Sequence, residues 1–192
     1  MIDKFIQQLI QSIKFLDRKK IERLILEIIN IKNKNGRIFF LGIGGSAGNA
    51  SHAVNDFRKI CNIECYSPTD NISEITARTN DDGFEKIFSM YLMNSKLSKN
   101  DAIFIFSVGG GNKKLKVSLG LIEAIKFAKQ NKSKVFSIIG RKDGYAYKNS
   151  DIAILINVKN NQFTTPVSES MQAVIWHALV SDPRLKKNKT KW

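Results

Sequence analysis

Short apolar runs alternate with longer stretches of helical periodicity along this chain, and this alternation restricts its fold more than any other feature. The segment Ile103–Phe106 is apolar at every position, which is typical of a strand buried on both faces of a sheet. Such alternation predicts an α/β fold with a doubly wound parallel sheet flanked by helices. We expect five strands, at residues 37–42, 62–66, 102–107, 134–139 and 151–157, and helices at about residues 46–60, 71–79, 83–94, 113–130 and 165–180.

Two further helices are predicted ahead of the first strand, within residues 3–34. Asp17 is placed to cap the second helix, and Gly36 to end the pair. Apolar residues recur at helical spacing, so one face of the pair must be buried, either on the chain's own sheet or against a partner subunit. This face consists of Phe5, Ile6, Leu9, Ile10, Ile13, Leu16, Ile21, Leu24, Ile25, Ile28 and Ile29.

Length and composition favour one soluble domain over the 192 residues, of which 43% are hydrophobic. We expect a helical pair (1–35), an α/β core (36–182) and a basic tail (183–192). No apolar run approaches the ~20 residues of a membrane span. The N-terminus lacks the apolar block of a secretory signal, so a cytoplasmic location without a membrane partner is expected. Cys61 and Cys65 have no second pair, which argues against a structural zinc site.

The net charge of +14 favours anionic ligands and speeds their arrival. Only the segment Lys186–Lys191 resembles a basic arm. Aromatic residues do not interleave with the other basic positions, as a groove for single-stranded nucleic acid would require. We therefore do not expect a nucleic acid as the main ligand.

The segment Gly42–Ala47 follows the first predicted strand and opens directly into a helix. Gly44 and Gly45 let the backbone turn tightly and approach a ligand, and the free N–H groups of the helix's first turn attract negative charge. Ser46 can cap this helix and offer its hydroxyl to the same ligand. The segment predicts a phosphate-type site, with a tight turn that holds no ligand as the alternative.

A second glycine turn follows the third predicted strand and again precedes a helix. Parallel strands place both turns at the carboxyl edge of one sheet, where doubly wound folds bind ligands. The pair therefore indicates a ligand site more strongly than either turn alone. The candidate binding residues of the second turn are Ser107, Gly109, Gly110, Gly111 and Asn112.

Both histidines of the chain lie near a carboxylate. His52 and Asp56 stand four apart on the helix after the first glycine turn, so they share a face. Glu169 and His177 lie eight apart on the last predicted helix, near enough to face a common cleft. Together these side chains can act as acid and base or bind one divalent metal, although each alone is more often structural.

A further polar group follows the second predicted strand. Asn80 and Asp81 begin a predicted turn that can reach the hydroxyl groups of a substrate. Asp82–Glu85 has the spacing of a capping box, and Pro166 stands at the start of the last predicted helix.

These residues together resemble the sugar isomerase (SIS) fold, and more closely the sedoheptulose-7-phosphate isomerase, or phosphoheptose isomerase, family. The resemblance covers nearly the whole chain. It rests on the two leading helices, Gly44–Ala47, His52 with a carboxylate four residues later, Asn80–Glu85, the Ser107 loop and His177.

The resemblance implies a flavodoxin-like SIS domain and an isomerase of phosphorylated seven-carbon sugars. Members interconvert sedoheptulose 7-phosphate and D-glycero-D-manno-heptose 7-phosphate, and they supply heptose for bacterial surface polysaccharides such as capsule or lipopolysaccharide. They are typically homotetramers with active sites between subunits, and several bind zinc. The same kind of protein is therefore expected here.

By position, the resemblance implies that Ser46 and Ser107 hold the phosphate and that His177 is catalytic. Asp56 falls on the catalytic glutamate of the family. The metal-binding positions correspond to His52, Asp56, Glu169 and His177. These assignments imply proton transfer through an enediol, with a carboxylate as base and His177 serving the substrate oxygens.

Three departures from the family pattern affect these roles. The family's phosphate loop is rich in Ser and Thr, whereas Val108–Gly111 must offer backbone amides. Asp56 is one methylene shorter than the usual glutamate, and Glu169 replaces a glutamine. The changes resemble a divergent branch associated with surface-heptose pathways. Asp56 is the hypothesised base, with Glu169 as a metal ligand or the alternative base.

Two other functions stay open. The first is a non-catalytic SIS module that binds a sugar phosphate or a protein partner; such relatives often lose the late histidine, so His177 favours the enzyme. The second is a dinucleotide-binding oxidoreductase, because Gly42–Ala47 fits the Rossmann fingerprint loosely and Glu64 stands where a ribose-binding acid is expected. The leading helices and the second glycine turn argue against it, and we expect no nucleotide cofactor.

Overall fold

Five parallel strands form a single sheet in the computed structural model, which describes residues 1–189. The strands are β1 (Ile38–Leu41), β2 (Cys65–Tyr66), β3 (Ala102–Ser107), β4 (Lys134–Ile139) and β5 (Ile152–Leu155). Their spatial order is β2-β1-β3-β4-β5, and every neighbouring pair is parallel. The predicted fold class is confirmed. Because the strand order reverses between β1 and β3, the two glycine turns that follow these strands flank the topological switch point.

Eight α-helices surround the sheet within residues 1–189. They are α1 (Ile2–Lys14), α2 (Arg18–Asn33), α3 (Gly45–Cys61), α4 (Ile72–Asp82), α5 (Ile87–Asn94), α6 (Leu119–Gln130), α7 (Tyr145–Asn149) and α8 (Thr164–Ser181). None of these helices combines the length and apolar character that a membrane span needs. The helices cover both faces of the sheet, as a doubly wound fold requires.

The side chains of β3 alternate between two hydrophobic clusters. Phe104 and Phe106 join the cluster beneath α2, α3 and α8, whereas Ile103 and Ile105 join the one beneath α5, α6 and α7. All four are fully buried. Burial of a side chain of this size contributes roughly 1.5–3 kcal/mol. The continuous apolar run seen in the sequence is therefore explained by a central strand with both faces covered.

The two leading helices have different surroundings. The side chain of Asp17 accepts a hydrogen bond from the Lys20 amide, so the predicted cap of α2 is confirmed. α2 contributes Leu24, Ile25, Ile28 and Ile31 to the core. α1 packs against α8, but its Ile6, Ile10 and Ile13 side chains stay exposed. Part of the predicted apolar face thus lies on the chain's own core and part faces outwards.

The predicted helix over residues 113–130 begins only at Leu119. Asn112 and Val117 form a β-bridge, and Lys116 and Ser118 have positive φ angles, so residues 112–118 make a tight turn. The Asn112 side chain supports the turn by accepting from the Leu115 amide. Local hydrogen bonding of this kind competes with helix formation, which explains why the helical interpretation of 113–118 was wrong.

The predicted turn and capping box around Gly83 are also wrong. Asn80 and Asp81 lie within α4, and Asp82 is its last residue. Gly83 has φ +87 and ends the helix, and no side chain caps the 3₁₀ turn Phe84–Lys86 that follows. A glycine that readily adopts positive φ places the helix end here and prevents the reciprocal capping bonds.

The basic tail is docked as far as the structure describes it. The amides of Lys187 and Asn188 both donate to the Ile60 carbonyl at the end of α3. Arg184 forms ion pairs with Glu22 and Asp182. Residues 183–189 are therefore not a free basic arm, and residues 190–192 of the predicted tail lie outside the described residues.

Candidate active site

The first glycine turn joins β1 to α3. Gly44 has φ +64 and precedes the helix, which begins at Gly45. Ser46 does not cap α3: its hydroxyl is buried and accepts from Gln172 Nε2 at 3.1 Å. The expectation of a capping serine is therefore wrong. The turn instead offers the backbone N–H groups of Gly45 and Ser46, since the amides of Ala47 and Gly48 already donate to the Gly44 carbonyl.

A carboxylate lies directly on this turn. A methyl group placed at Gly45 would come within 2.6 Å of both carboxylate oxygens of Glu169. Only glycine fits here without displacing that side chain. The helices α3 and α8 are linked here as well, because the Asn49 side chain donates to the Glu169 carbonyl at 2.9 Å and to Gln172 Oε1 at 2.8 Å.

The helices α3 and α8 run side by side in the same direction, and two turns further along they bring the two histidines together. Asp56 is buried, and its Oδ2 accepts from the Trp176 indole at 3.1 Å. The same oxygen lies 3.4 Å from His177 Nε2 and 3.6 Å from His52 Nε2. Both imidazoles are exposed, so a ligand can reach them.

The three side chains His52, Asp56 and His177 are the predicted site residues that the structure places in one cluster. Their nitrogen and oxygen ligand atoms all lie within 4.8 Å of one another. Two imidazoles and one carboxylate form a donor set typical of catalytic zinc, so the cluster fits a divalent metal. Glu169, the fourth predicted ligand, instead has its carboxylate at Gly45.

The second glycine turn is built by the start of α7. Gly110 and Gly111 have φ +70 and +85, and their carbonyls accept from the amides of Ala146 and Tyr145 at 2.8 and 2.9 Å. The Gly110 amide donates to the Ser107 hydroxyl at 2.9 Å. Within the described chain, the amides of Gly109 and Gly111 donate no hydrogen bond. These two donors are available to an anion.

Positive charge accompanies the second turn. A cavity of about 230 Å³ is lined by Gly109, Gly111, Asn112 and Arg141, among others. Asp143 also lines it and forms a two-pronged ion pair with Arg141. The amino group of Lys113 lies 5.3 Å from the centre of the neighbouring Tyr145 ring. This turn thus has an arginine–aspartate pair and a lysine nearby, whereas a carboxylate lies directly on the first turn.

Other predicted residues belong neither to the cluster of His52, Asp56 and His177 nor to the glycine turns. Asn80 and Asp81 are exposed on α4, where the Asn80 amide donates to Asp81 at 2.8 Å. Glu64 precedes β2 and accepts from the Tyr66 hydroxyl. A ribose-binding acid belongs at the carboxyl end of the second strand, so the position of Glu64 contradicts the dinucleotide interpretation.

The two cysteines are unreactive in this structure. Both are free and buried, and burial raises the pKa of Cys61 to about 11 and also raises the pKa of Cys65. Thiols that stay protonated are poor nucleophiles and poor metal ligands. The expectation that Cys61 and Cys65 do not form a structural zinc site is consistent with this.

Trp176, Gln172 and Arg141 are site residues that the sequence interpretation missed. Trp176 stacks on Phe106 and lies beside both imidazoles, with ring centres 5.3 Å from His52 and 4.9 Å from His177. A tryptophan next to a candidate histidine is an ambiguous signal, since most such residues belong to the core. Its role becomes visible only through the bond to Asp56.

Comparisons with known proteins agree with this architecture. A sequence model of the SIS domain matches residues 3–140. The chain is 29% identical over 150 residues to the lincomycin biosynthesis protein LmbN of Streptomyces lincolnensis, and spans about half (54%) of that protein's length. It is 26% identical over 167 residues to a probable phosphoheptose isomerase of Thermoplasma volcanium, covering 83% of this chain and 79% of the relative.

The fold is similar to that of a solved phosphoheptose isomerase. The structure of GmhA from Neisseria gonorrhoeae superposes with a TM-score of 0.79 at 23% identity, covering 93% of each chain. That likeness concerns the fold, while the sequence match covers more than two thirds of the chain. The chain belongs to the SIS domain family.

Proposed function

We propose that the protein is a phosphosugar isomerase that interconverts sedoheptulose 7-phosphate and D-glycero-D-manno-heptose 7-phosphate. One observation carries the proposal: His52, Asp56 and His177 converge from two helices that meet beside the glycine turns of the switch point. A cleft with acid–base groups and anion-binding turns suits an aldose–ketose conversion of a phosphorylated sugar. The similarity to phosphoheptose isomerases supports the same substrate class.

The proposed chemistry is a proton shuttle through an enediol. A carboxylate removes the proton from the carbon next to the carbonyl and returns it to the adjacent carbon. His177, whose imidazole is exposed, exchanges a proton with the substrate oxygens. Asp56 is the proposed base, and Glu169 on the neighbouring turn is the alternative. The Trp176 indole holds Asp56 in place during this exchange.

A divalent metal fits the cluster of His52, Asp56 and His177, with zinc as the proposed ion. When bound, it would polarise a carbonyl oxygen as a Lewis acid. Glu169 could act as a fourth metal ligand only after its side chain turned away from Gly45.

The proposal extends to assembly, location and pathway. We propose a cytoplasmic homotetramer that supplies heptose for a bacterial surface polysaccharide, capsule or lipopolysaccharide. Two features support assembly: α1 exposes Ile6, Ile10 and Ile13, and none of the residues Ile72–Asp82 of α4 is buried. A helix without buried residues gains stability from a partner that covers it.

The decisive experiment is incubation with sedoheptulose 7-phosphate in deuterium oxide, with and without chelator. Deuterium at carbon 2 of an aldose product is expected, because the enediol exchanges its proton with solvent. Loss of activity with chelator and recovery with zinc would support the metal. Binding of the sugar phosphate without conversion would contradict the enzyme and favour a non-catalytic SIS module.

A further inference from the structure

The two glycine turns at the switch point have different charged side chains beside them. At the first turn, a methyl group on residue 45 would lie only 2.6 Å from both oxygens of the Glu169 carboxylate. That side chain is only partly buried, and Ser46 has turned its hydroxyl away towards Gln172. The first turn therefore presents amide donors that already have an anion beside them.

At the second turn the neighbouring carboxylate, Asp143, is paired with Arg141. The amides of Gly109 and Gly111 have no acceptor within the described residues, and a methyl group at Gly109 would meet nothing within 4 Å. Arg141 lines the adjoining cavity, with Asp143 paired to it. Lys113, Lys114 and Lys116 follow directly in the turn over residues 112–118.

We infer that Glu169 is a specificity-determining residue that excludes phosphate from the first turn and reserves that turn for the uncharged end of the substrate. A phosphate dianion next to a partly buried carboxylate is repelled strongly, because water screens the pair incompletely. Hydroxyl and carbonyl oxygens carry no full charge and can accept from the amides of Gly45 and Ser46. The phosphate of the substrate then binds at the second turn.

This inference rests on the proposed function for the nature of the sugar, but not for the placing of the phosphate. The cluster of His52, Asp56 and His177 lies on the same two helices as the first turn, two helical turns further along. An uncharged end directed to the first turn brings the reacting carbons to these helices. A sugar with phosphates at both ends would be rejected.

Inorganic phosphate tests the inference without any sugar. Titration followed by calorimetry is expected to give one site on the unmodified protein and two on Glu169→Gln. Gly109→Ala is expected to lose the single site, because its methyl group enters the open space over the second turn. Glu85→Gln is the matched control: its carboxylate also lies against a glycine, Gly83, but that glycine follows α4 and belongs to neither glycine turn, so one site should remain.

An unchanged single site on Glu169→Gln would overturn the inference, and so would two equal sites on the unmodified protein. A second site on Glu85→Gln would show that net charge alone is responsible.

Competition between sugars separates the inference from the proposed function. The unmodified protein is expected to bind sedoheptulose 7-phosphate about tenfold more tightly than the 1,7-bisphosphate, and Glu169→Gln to lose this preference. If the ratio of the two affinities is the same in the unmodified protein and in Glu169→Gln, the inference is overturned. If the unmodified protein instead prefers the monophosphate as expected but fails to isomerise it, that result would refute the proposed function and leave the role of Glu169 standing.

Discussion

One carboxylate oxygen, Asp56 Oδ2, connects every member of the histidine cluster. It accepts from Trp176 and lies within 3.6 Å of both imidazole nitrogens. A buried carboxylate held by an indole N–H cannot rotate freely, and such supporting partners fix the orientation of catalytic or metal-binding groups. We therefore predict that Trp176 acts as a positioning residue.

Replacing Trp176 by Phe is expected to lower turnover or zinc affinity about 10- to 100-fold, the usual cost of losing a supporting hydrogen bond. The readouts are kcat against KM and zinc binding measured by competition with a chelating dye. Phe106→Leu is the control, because Phe106 stacks on the same indole but donates no hydrogen bond to Asp56. Equal losses in both variants would mean that packing alone matters.

His177→Ala is expected to keep the fold and lower turnover by about 10²–10⁴-fold, the usual contribution of acid–base catalysis. The fold should persist because the imidazole is exposed and its removal opens no cavity in the core. Thermal unfolding and isomerisation of sedoheptulose 7-phosphate measure the two effects. Unchanged turnover would remove His177 from the mechanism.

The sequence predicted which side chains would meet better than it predicted the residues that support them. His52, Asp56 and His177 could be found because their residue types are themselves the chemical signal. The environment of Ser46 depends on Gln172, which lies 126 residues away, so the expected cap failed for a reason that no local pattern contains. Arg141 was missed because an exposed arginine in a loop is ordinary until the cavity beside it is known.

Among the secondary-structure elements, β1 and β3 are joined at their starts by one buried carboxylate. Asp101 accepts from the Arg37 amide at 2.8 Å, from the Arg37 guanidinium at 2.9 Å and from the Ser98 amide at 2.9 Å. Burial alone would raise the pKa of Asp101, but the hydrogen bonds from Arg37 and Ser98 outweigh it and lower the pKa below its ordinary 3.8. The ionised form is therefore the one that stabilises the fold.

Asp101→Asn is expected to lower the free energy of unfolding by about 1–3 kcal/mol at neutral pH, since buried donors lose their charged acceptor. A lowered folded-state pKa means that this stabilisation is complete above 3.8 and is lost as the pH falls through the folded value. The difference in free energy of unfolding between the unmodified protein and Asp101→Asn should therefore become smaller as the pH falls. Urea unfolding at pH 7 and pH 3 measures it.

Asp143→Asn serves as the control for that comparison. Asp143 also pairs with an arginine, and its pKa is likewise lowered, but the pair is exposed and should contribute little. A constant gap between the unmodified protein and Asp101→Asn at every pH would contradict the assigned role of the carboxylate.

Long periodic helices and the strands could be predicted, but the short helix α7 could not. α2, α3 and α8 follow from their apolar spacing, and the strands from continuous apolar runs. α7 has only five residues, too few for a period to show, and its first amides are held by the carbonyls of the second glycine turn. Residues 112–118 failed because their turn is set by hydrogen bonds that helical propensity does not register.

The molecule as a whole presents an apolar strip that the described chain does not cover. Ile6, Ile10 and Ile13 of α1 are 44%, 47% and 48% exposed, and Ile6 and Ile10 lie about 100° around the helix from Phe5 and Leu9, respectively, which pack on the core. Exposed isoleucines at helical spacing are typical of a helix that packs against a second copy. With a net charge of +14, identical copies repel one another, so apolar contact must supply the attraction.

Ile10→Glu is therefore expected to shift a tetramer to smaller species, as measured by sedimentation velocity at fixed protein concentration. A buried, unpaired carboxylate in the middle of the strip destabilises the interface by more than the apolar contacts there stabilise it. The helix itself should persist, since glutamate is a good helix former. Lys4→Gln is the matched control: it changes the net charge by the same amount at an exposed position of α1 outside the strip. If Ile10→Glu sediments like the unmodified protein, α1 is not the surface that joins the subunits, and assembly must proceed through another face such as that of α4.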